Sequence, residues 1–229
     1  MDEHADPLKP TSAESTAQVA AMALDAIPHV GSALSSIVRT IIAKRQNQRL
    51  SQFIETLAKR LQQLDDRINS EFIGTEEFRD MAEDFFSKAA DTRQQEKLDA
   101  FRSIFLNTVL ANHPSYDDAV EIAELVYRWQ ARHVILIRIL ADPIAADREM
   151  GGVVGPGSGR PTSISQIIRK LLPNWDDDQI DRTWSDLYNA KTHRTPGTKT
   201  MITDDGIRQL ENRLTDFGKK VANYISDPG

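Results

Sequence analysis

The spacing of apolar residues between Ser32 and Phe72 constrains the fold of this chain more than any other feature. In the second half of that stretch, apolar residues recur at alternating intervals of four and three, which places them on one face of an α-helix. A single helix cannot bury such a face by itself, so other apolar helices must pack against it. This set, which we call the seam, consists of Leu50, Ile54, Leu57, Leu61, Leu64 and Ile68. We predict that the seam lies inside a helical bundle or pairs with a second copy as a self-association surface.

Apolar faces at helical spacing continue through the rest of the first half. After a mobile tail over residues 1–15, the sequence predicts an all-α bundle of five or six helices over residues 16–130. A proline and a glycine in Ile27–Gly31 predict an elbow that makes a helical hairpin of Ala17–Ala43. A cluster of polar residues predicts a break in the long helix near Ala43–Gln48.

Helix-capping residues predict where later helices begin. Thr75 precedes two glutamates, which suit the positive end of a helix dipole, and Asp117 is predicted to cap the helix that contains Val126. In the second half, Ser163 opens one predicted helix and the acidic run from Asp176 opens the next.

The order of elements after Ala131 is typical of a winged helix, which we predict over residues 131–229. Two helices, a turn, a third helix and a hairpin-like segment follow one another, as in that fold. The predicted wing is Thr192–Thr203, with Pro196 and Gly197 at its tip. A single final helix is predicted over residues 207–225, where apolar residues again recur at helical spacing.

Four short motifs resemble those of uncharacterised bacterial helical proteins. They are the Pro-x-x-Gly elbow at Ile27–Gly31, the arginine-rich segment after it, Gln95–Leu98 and Leu214–Gly218. Proteins of that group combine a helical N-terminal part with a winged-helix-like C-terminal part, so the resemblance implies an architecture and no reaction. The elbow is also similar to helical bundles of cell-death and defence proteins that act on membranes.

Composition excludes several classes of function. A net charge of −6 and a pI near 5.4 oppose extensive nucleic-acid binding, because phosphate contacts need a basic surface. The chain has no cysteine, so disulfides and thiolate chemistry are excluded. The acidic start differs from a signal peptide and no long apolar run is present, so we predict a cytoplasmic protein.

No catalytic, cofactor or metal motif is present in the sequence. The histidines are scattered and form no helical ligand pair, and there is no Gly-x-Ser-x-Gly elbow. The glycine-rich segment Gly151–Gly159 lacks the Gly-Lys-Ser/Thr ending of a phosphate-binding loop and is predicted to be a plain loop. We therefore predict no enzymatic activity, no cofactor, no metal and no small-molecule substrate.

Two groups of basic residues are candidates for contact with anions. Candidates on the long helix, suited to lipid headgroups or nucleic acid, are Arg39, Lys44, Arg45 and Arg49. Candidates for phosphate contact in the predicted wing are Lys191, His193, Arg194 and Lys199. The alternative for the first group is pairing with the acidic residues between positions 65 and 99.

These observations predict a non-enzymatic interaction or scaffold protein in bacterial signalling or defence, with a protein partner or a second copy as its ligand. The first alternative is a winged-helix DNA-binding regulator. We expect weak nucleic-acid binding or none, because carboxylates from Asp176 to Asp181 occupy the start of the predicted recognition helix. The second alternative is a membrane-active helical effector with peripheral contact to anionic lipid through Ala17–Ala43 and the arginines after it.

Overall fold

A computed structural model describes most of the chain as α-helix. The described residues are 22, 27, 30–45, 48–110, 115–154, 162–202 and 207–229, without the side chains at 32–33, 42–45, 48 and 202. The predicted tail 1–15 and the first arm of the hairpin Ala17–Ala43 lie outside them, apart from single residues. The all-α class is confirmed.

The chain divides into two compact units. The first unit runs to Tyr127 and also includes Asp227–Gly229, and the second comprises Arg128–Ser226.

Six helices build the first unit among its described residues. They are α1 (Gly31–Arg45), α2 (Gln48–Gln63), α3 (Ser70–Ile73), α4 (Glu76–Asp91), α5 (Gln95–Leu110) and α6 (Tyr116–Arg128). A single 3₁₀ turn, Asp65–Arg67, follows α2. The described part of α1 ends at Arg45 and that of α2 begins at Gln48; residues 46 and 47, where the sequence predicts the break in the long helix, lie outside the described residues.

Side-chain caps explain where these helices begin. Thr75 accepts a hydrogen bond from the Phe78 backbone at 3.1 Å, which confirms the predicted start of α4. The prediction for Asp117 is wrong by two residues. The cap is Ser115, whose hydroxyl accepts from the Asp118 backbone at 3.2 Å, while Asp117 lies in the first turn of α6. The serine takes the capping position, and the aspartate is left to interact with the helix dipole.

The seam on α2 lies in the core of the first unit. Leu50, Ile54, Leu57 and Leu61 are at most 1% exposed, Leu64 is 6% exposed, and Ile68 is half-buried. Aromatic residues of α4 and α5 share this core; the Phe86 and Phe105 rings, for example, lie 5.7 Å apart. The two predicted alternatives for the seam are burial in the bundle and pairing with a second copy. In the structure, the seam is buried in the bundle. The five leucine and isoleucine side chains from Leu50 to Leu64 are therefore occupied by the core of their own unit.

The second unit contains six helices and two very short strands among its described residues. They are α7 (Ala131–Ala141), α8 (Pro143–Glu149), β1 (Thr162–Ser163), α9 (Ile164–Leu171), α10 (Asp177–Asn189), β2 (Met201–Ile202), α11 (Arg208–Glu211) and α12 (Asp216–Ile225). The strands pair antiparallel, with Thr162 opposite Ile202. α9 and α10 begin at the predicted places, where Ser163 and Asp176 each cap the helix in a reciprocal capping box with a glutamine.

The segment Lys191–Thr200 packs closely against its own unit. Trp184 Nε1 donates a hydrogen bond to the Thr195 carbonyl at 2.7 Å, and the Thr198 hydroxyl donates to the Asp181 carboxylate. At its C-terminal end, this segment leads into β2, which pairs with β1. The winged-helix-like assignment itself stays a prediction.

The predicted single helix over 207–225 is wrong, because two helices occupy this range. Between α11 and α12, Leu214 forms an isolated bridge with His193, and the Thr215 backbone donates to the Thr192 carbonyl at 3.0 Å. Thr215 then caps α12. Apolar periodicity continues across the interruption because both helices face the same core, so the pattern alone conceals the break.

Among the helices that the structure describes, none is long and apolar enough to cross a membrane.

Candidate functional site

A groove between α2 and α5 is the candidate site of the first unit. It encloses about 320 Å³ and is lined by Arg49, Gln52, Phe53, Glu55, Thr56, Lys59, Gln95, Leu98 and Arg102. Phe53 and Leu98 are buried at 7% and 3% exposure, so they form an apolar floor. The other lining residues are polar or charged.

Helical periodicity explains how α2 supplies most of this lining. Arg49, Gln52, Thr56 and Lys59 are exposed and follow one another at intervals of three, four and three residues. That spacing places them on one face of the helix, opposite the buried seam. The burial that holds α2 in the bundle therefore also directs this polar face outward.

The charge of the groove is positive in a chain of negative net charge. Arg49, Lys59 and Arg102 contribute three cations, and Glu55 is the one acidic residue in the lining. Asp99 lies outside the lining and pairs with Arg102 at 3.0 Å. A concave, cationic site with an apolar floor is suited to a ligand that carries both carboxylates or phosphates and apolar groups.

The predicted anionic-contact set on the long helix is only partly brought together. Arg49 lines the groove, whereas Arg39 is exposed on α1, and the side chains of Lys44 and Arg45 lie outside the described residues. Arg102 was missed, because it comes from α5 and no local pattern relates it to Arg49. Lys59 is predictable from the sequence, because it follows Arg49, Gln52 and Thr56 at helical spacing and therefore lies on the same face of α2.

A second cationic contact lies further along the same helix. Arg60 Nε and Nη2 donate to one carboxylate oxygen of Asp227 at 3.2 and 2.8 Å, and Nη2 also donates to the Pro228 carbonyl at 2.9 Å. Beyond the end of α2, Arg67 Nη1 donates to the main-chain oxygen of Gly229 at 2.5 Å. In these contacts the two arginines donate every hydrogen bond, and oxygen atoms of the segment Asp227–Gly229 accept them.

The predicted wing residues divide between surface and interior. Lys191, Arg194 and Lys199 are exposed, but His193 is only 2% exposed. Its Nε2 donates to the Trp184 carbonyl at 2.9 Å, and its ring lies 4.1 Å from the Trp184 ring. Burial lowers the pKa of His193, and the hydrogen bond to Trp184 opposes this in part. His193 is therefore a core residue and is not available to a phosphate.

A buried lysine in the first unit was not anticipated from the sequence. Lys97 is 8% exposed, and its Nζ donates to the Tyr127 carbonyl at 2.7 Å. The same nitrogen lies 5.7 Å from the centre of the Tyr127 ring. Burial lowers the pKa of Lys97. Both contacts are made with Tyr127 of the same unit, which makes Lys97 part of the packing.

No constellation for metal binding occurs within the part of the chain that the structure describes, where no three His, Asp or Glu residues cluster suitably. Comparison with known proteins found no matching family model, no matching curated protein and no matching solved structure.

Proposed function

We propose that this protein is a non-enzymatic, cytoplasmic interaction protein whose first unit binds an acidic segment of a protein partner in the groove between α2 and α5. The observation that carries the proposal is the arrangement of Arg49, Lys59 and Arg102 around an apolar floor. Carboxylates of a partner would meet the cations, and its apolar side chains would cover the small exposed edges of Phe53 and Leu98.

A protein segment fits this groove better than a nucleic acid does. Three cations could neutralise only a few phosphates, and the net charge of −6 opposes the approach of a long polyanion. The apolar floor has no counterpart in a phosphate backbone, whereas peptides carry acidic and apolar side chains together. Because Arg49 and Lys59 are exposed and Arg102 is already paired with Asp99, binding is expected to be moderate in affinity and to weaken as salt rises.

Fluorescence anisotropy with a fluorescein-labelled deca-aspartate peptide tests the proposal on the full chain. Binding is expected at low ionic strength and should weaken at physiological ionic strength. Lys59→Glu should weaken it by about tenfold, since a cation is lost and a repulsive charge is added. The matched control is Arg79→Glu, an exposed residue of α4 outside the groove. Absence of binding at low salt, or an equal loss in the control, would overturn the proposal.

For the second unit, we propose a winged-helix-like arrangement that contacts protein rather than DNA. The order α7, β1, α9, α10, β2 and the antiparallel strand pair support this assignment. Asp177, Asp178 and Asp181 are exposed near the start of α10, where a DNA-reading helix would approach phosphates. Selection from a pool of random DNA duplexes is expected to yield no motif. Recovery of a defined motif at physiological salt would favour a DNA-binding regulator instead.

A further inference from the structure

We infer that the groove and the contact made by Arg60 form one continuous track along α2 for an extended acidic peptide, and that the chain's own segment Asp227–Gly229 occupies one end and competes with the partner. This inference rests on the proposed function of the groove. It names the partner's conformation and chemistry and adds a means of regulation.

Helical geometry makes the two sites continuous. Thr56 and Lys59 line the groove, Arg60 contacts Asp227, and Arg60 Nη1 also donates to the Gln63 side chain at 3.0 Å. Residues 49, 52, 56, 60 and 63 follow at intervals of three or four, so they lie on one face of α2. From Arg49 to Arg60, this face extends about 16 Å along the helix axis. About five extended peptide residues span that distance.

The bound segment shows which chemistry the end of the track accepts. The Asp227 carboxylate and the main-chain oxygens of the two residues that follow it accept hydrogen bonds from Arg60 and Arg67. Every donor in these contacts belongs to an arginine, and every acceptor belongs to the segment. A partner would satisfy the same donors with an aspartate or glutamate followed by residues whose carbonyls face α2. Guanidinium groups suit this role, since they present several donors in a fixed plane.

Competition follows from the strength of the internal contact. The Arg60 and Asp227 side chains are 28% and 49% exposed, so water and salt screen their ion pair. Exposed pairs of this kind are weak, and the segment should exchange readily between bound and released states. A peptide that needs Arg60 then binds only the released fraction, which lowers its apparent affinity.

The test uses Asp227→Asn in the full chain, with the labelled deca-aspartate peptide as the probe. Asp80→Asn is the matched control, because it removes the same charge from an exposed position on α4. Asp227→Asn should bind the peptide about twofold to fivefold more tightly than the unmodified chain. Asp80→Asn should leave the affinity nearly unchanged.

Two outcomes overturn the inference, and they are distinguishable. In the first, the unmodified chain binds the peptide and Lys59→Glu weakens that binding, but Asp227→Asn and Asp80→Asn bind the peptide with equal affinity. The competition is then refuted and the proposed function stands. If no variant binds the peptide at low salt, the proposed function fails and the inference fails with it.

Discussion

The two basic stretches of this protein differ in how their side chains are directed. On α2, Arg49 and Lys59 point outward because the seam on the opposite face is buried. In the segment Lys191–Thr200, three basic residues are exposed while His193 is packed against Trp184. The first stretch is a helix whose direction follows from its period, and the second is irregular, so only its contacts decide which residues face inward. Periodicity thus predicts exposure on α2 and gives no guidance in the irregular segment.

The largest expected effect comes from placing a charge on the buried face of α2. Leu57→Glu puts a carboxylate at a position with no exposure and should lower the free energy of unfolding by more than about 4 kcal/mol, enough to unfold the first unit. Thr56→Glu, on the exposed face one residue earlier, should change it by less than about 1 kcal/mol. Far-UV circular dichroism during urea unfolding measures both. Similar losses in the two variants would remove the distinction between the faces.

The next effect concerns the close contact that holds the irregular segment. A Cβ added at Gly218 would lie 1.8 Å from the Thr192 carbonyl oxygen, so Gly218→Ala must displace α12 or the segment. The free energy of unfolding of the second unit is expected to fall by about 3 kcal/mol. At Gly197, an added Cβ meets no atom within 4 Å, and Gly197→Ala is the control.

Tryptophan fluorescence reports on the second unit alone, because all three tryptophans, Trp129, Trp175 and Trp184, belong to it. A normal unfolding midpoint in Gly218→Ala would show that the segment is held less tightly than this contact implies.

A change of pH is expected to have a smaller effect on the stability of the second unit. Burial lowers the folded-state pKa of His193, so the unfolded chain binds the proton more strongly. The second unit should therefore have its full stability above the unfolded-state pKa of about 6.5, and lose stability as pH falls from there toward the lower folded-state value. His193→Gln removes the titrating group and should flatten this dependence. Urea unfolding followed by tryptophan fluorescence at several pH values measures it, and parallel curves for the two proteins would exclude His193 as its source.

The smallest effects belong to the exposed cations of both stretches. Lys59→Ala and Lys199→Ala should each change the free energy of unfolding by less than about 0.5 kcal/mol, because water already solvates both side chains. Lys59→Ala should nevertheless weaken peptide binding, whereas Lys199→Ala should leave the peptide affinity unchanged. Equal binding losses in the two variants would contradict the assignment of the ligand to the groove.

The features that the sequence predicts correctly are those set by interactions between residues close together in the chain. The burial of Leu57 and its neighbours and the helix starts at Thr75, Ser163 and Asp176 depend on residues within about one helical turn. The Asp117 assignment failed within that same range because Ser115, two residues earlier, accepts from the Asp118 backbone and starts the helix before Asp117.

The sequence by itself determined the all-α class, the helical face that enters the core of the first unit and the starts of three helices, at Thr75, Ser163 and Asp176. Tertiary structure decided which distant residues meet: Arg102 with the face of α2, Asp227 with Arg60, and Thr192 with Gly218. It also decided that the final apolar run is two helices and that His193 is buried. The reason is that helix period and capping are set by short-range sterics and hydrogen bonds, whereas contacts between distant residues depend on how whole elements pack.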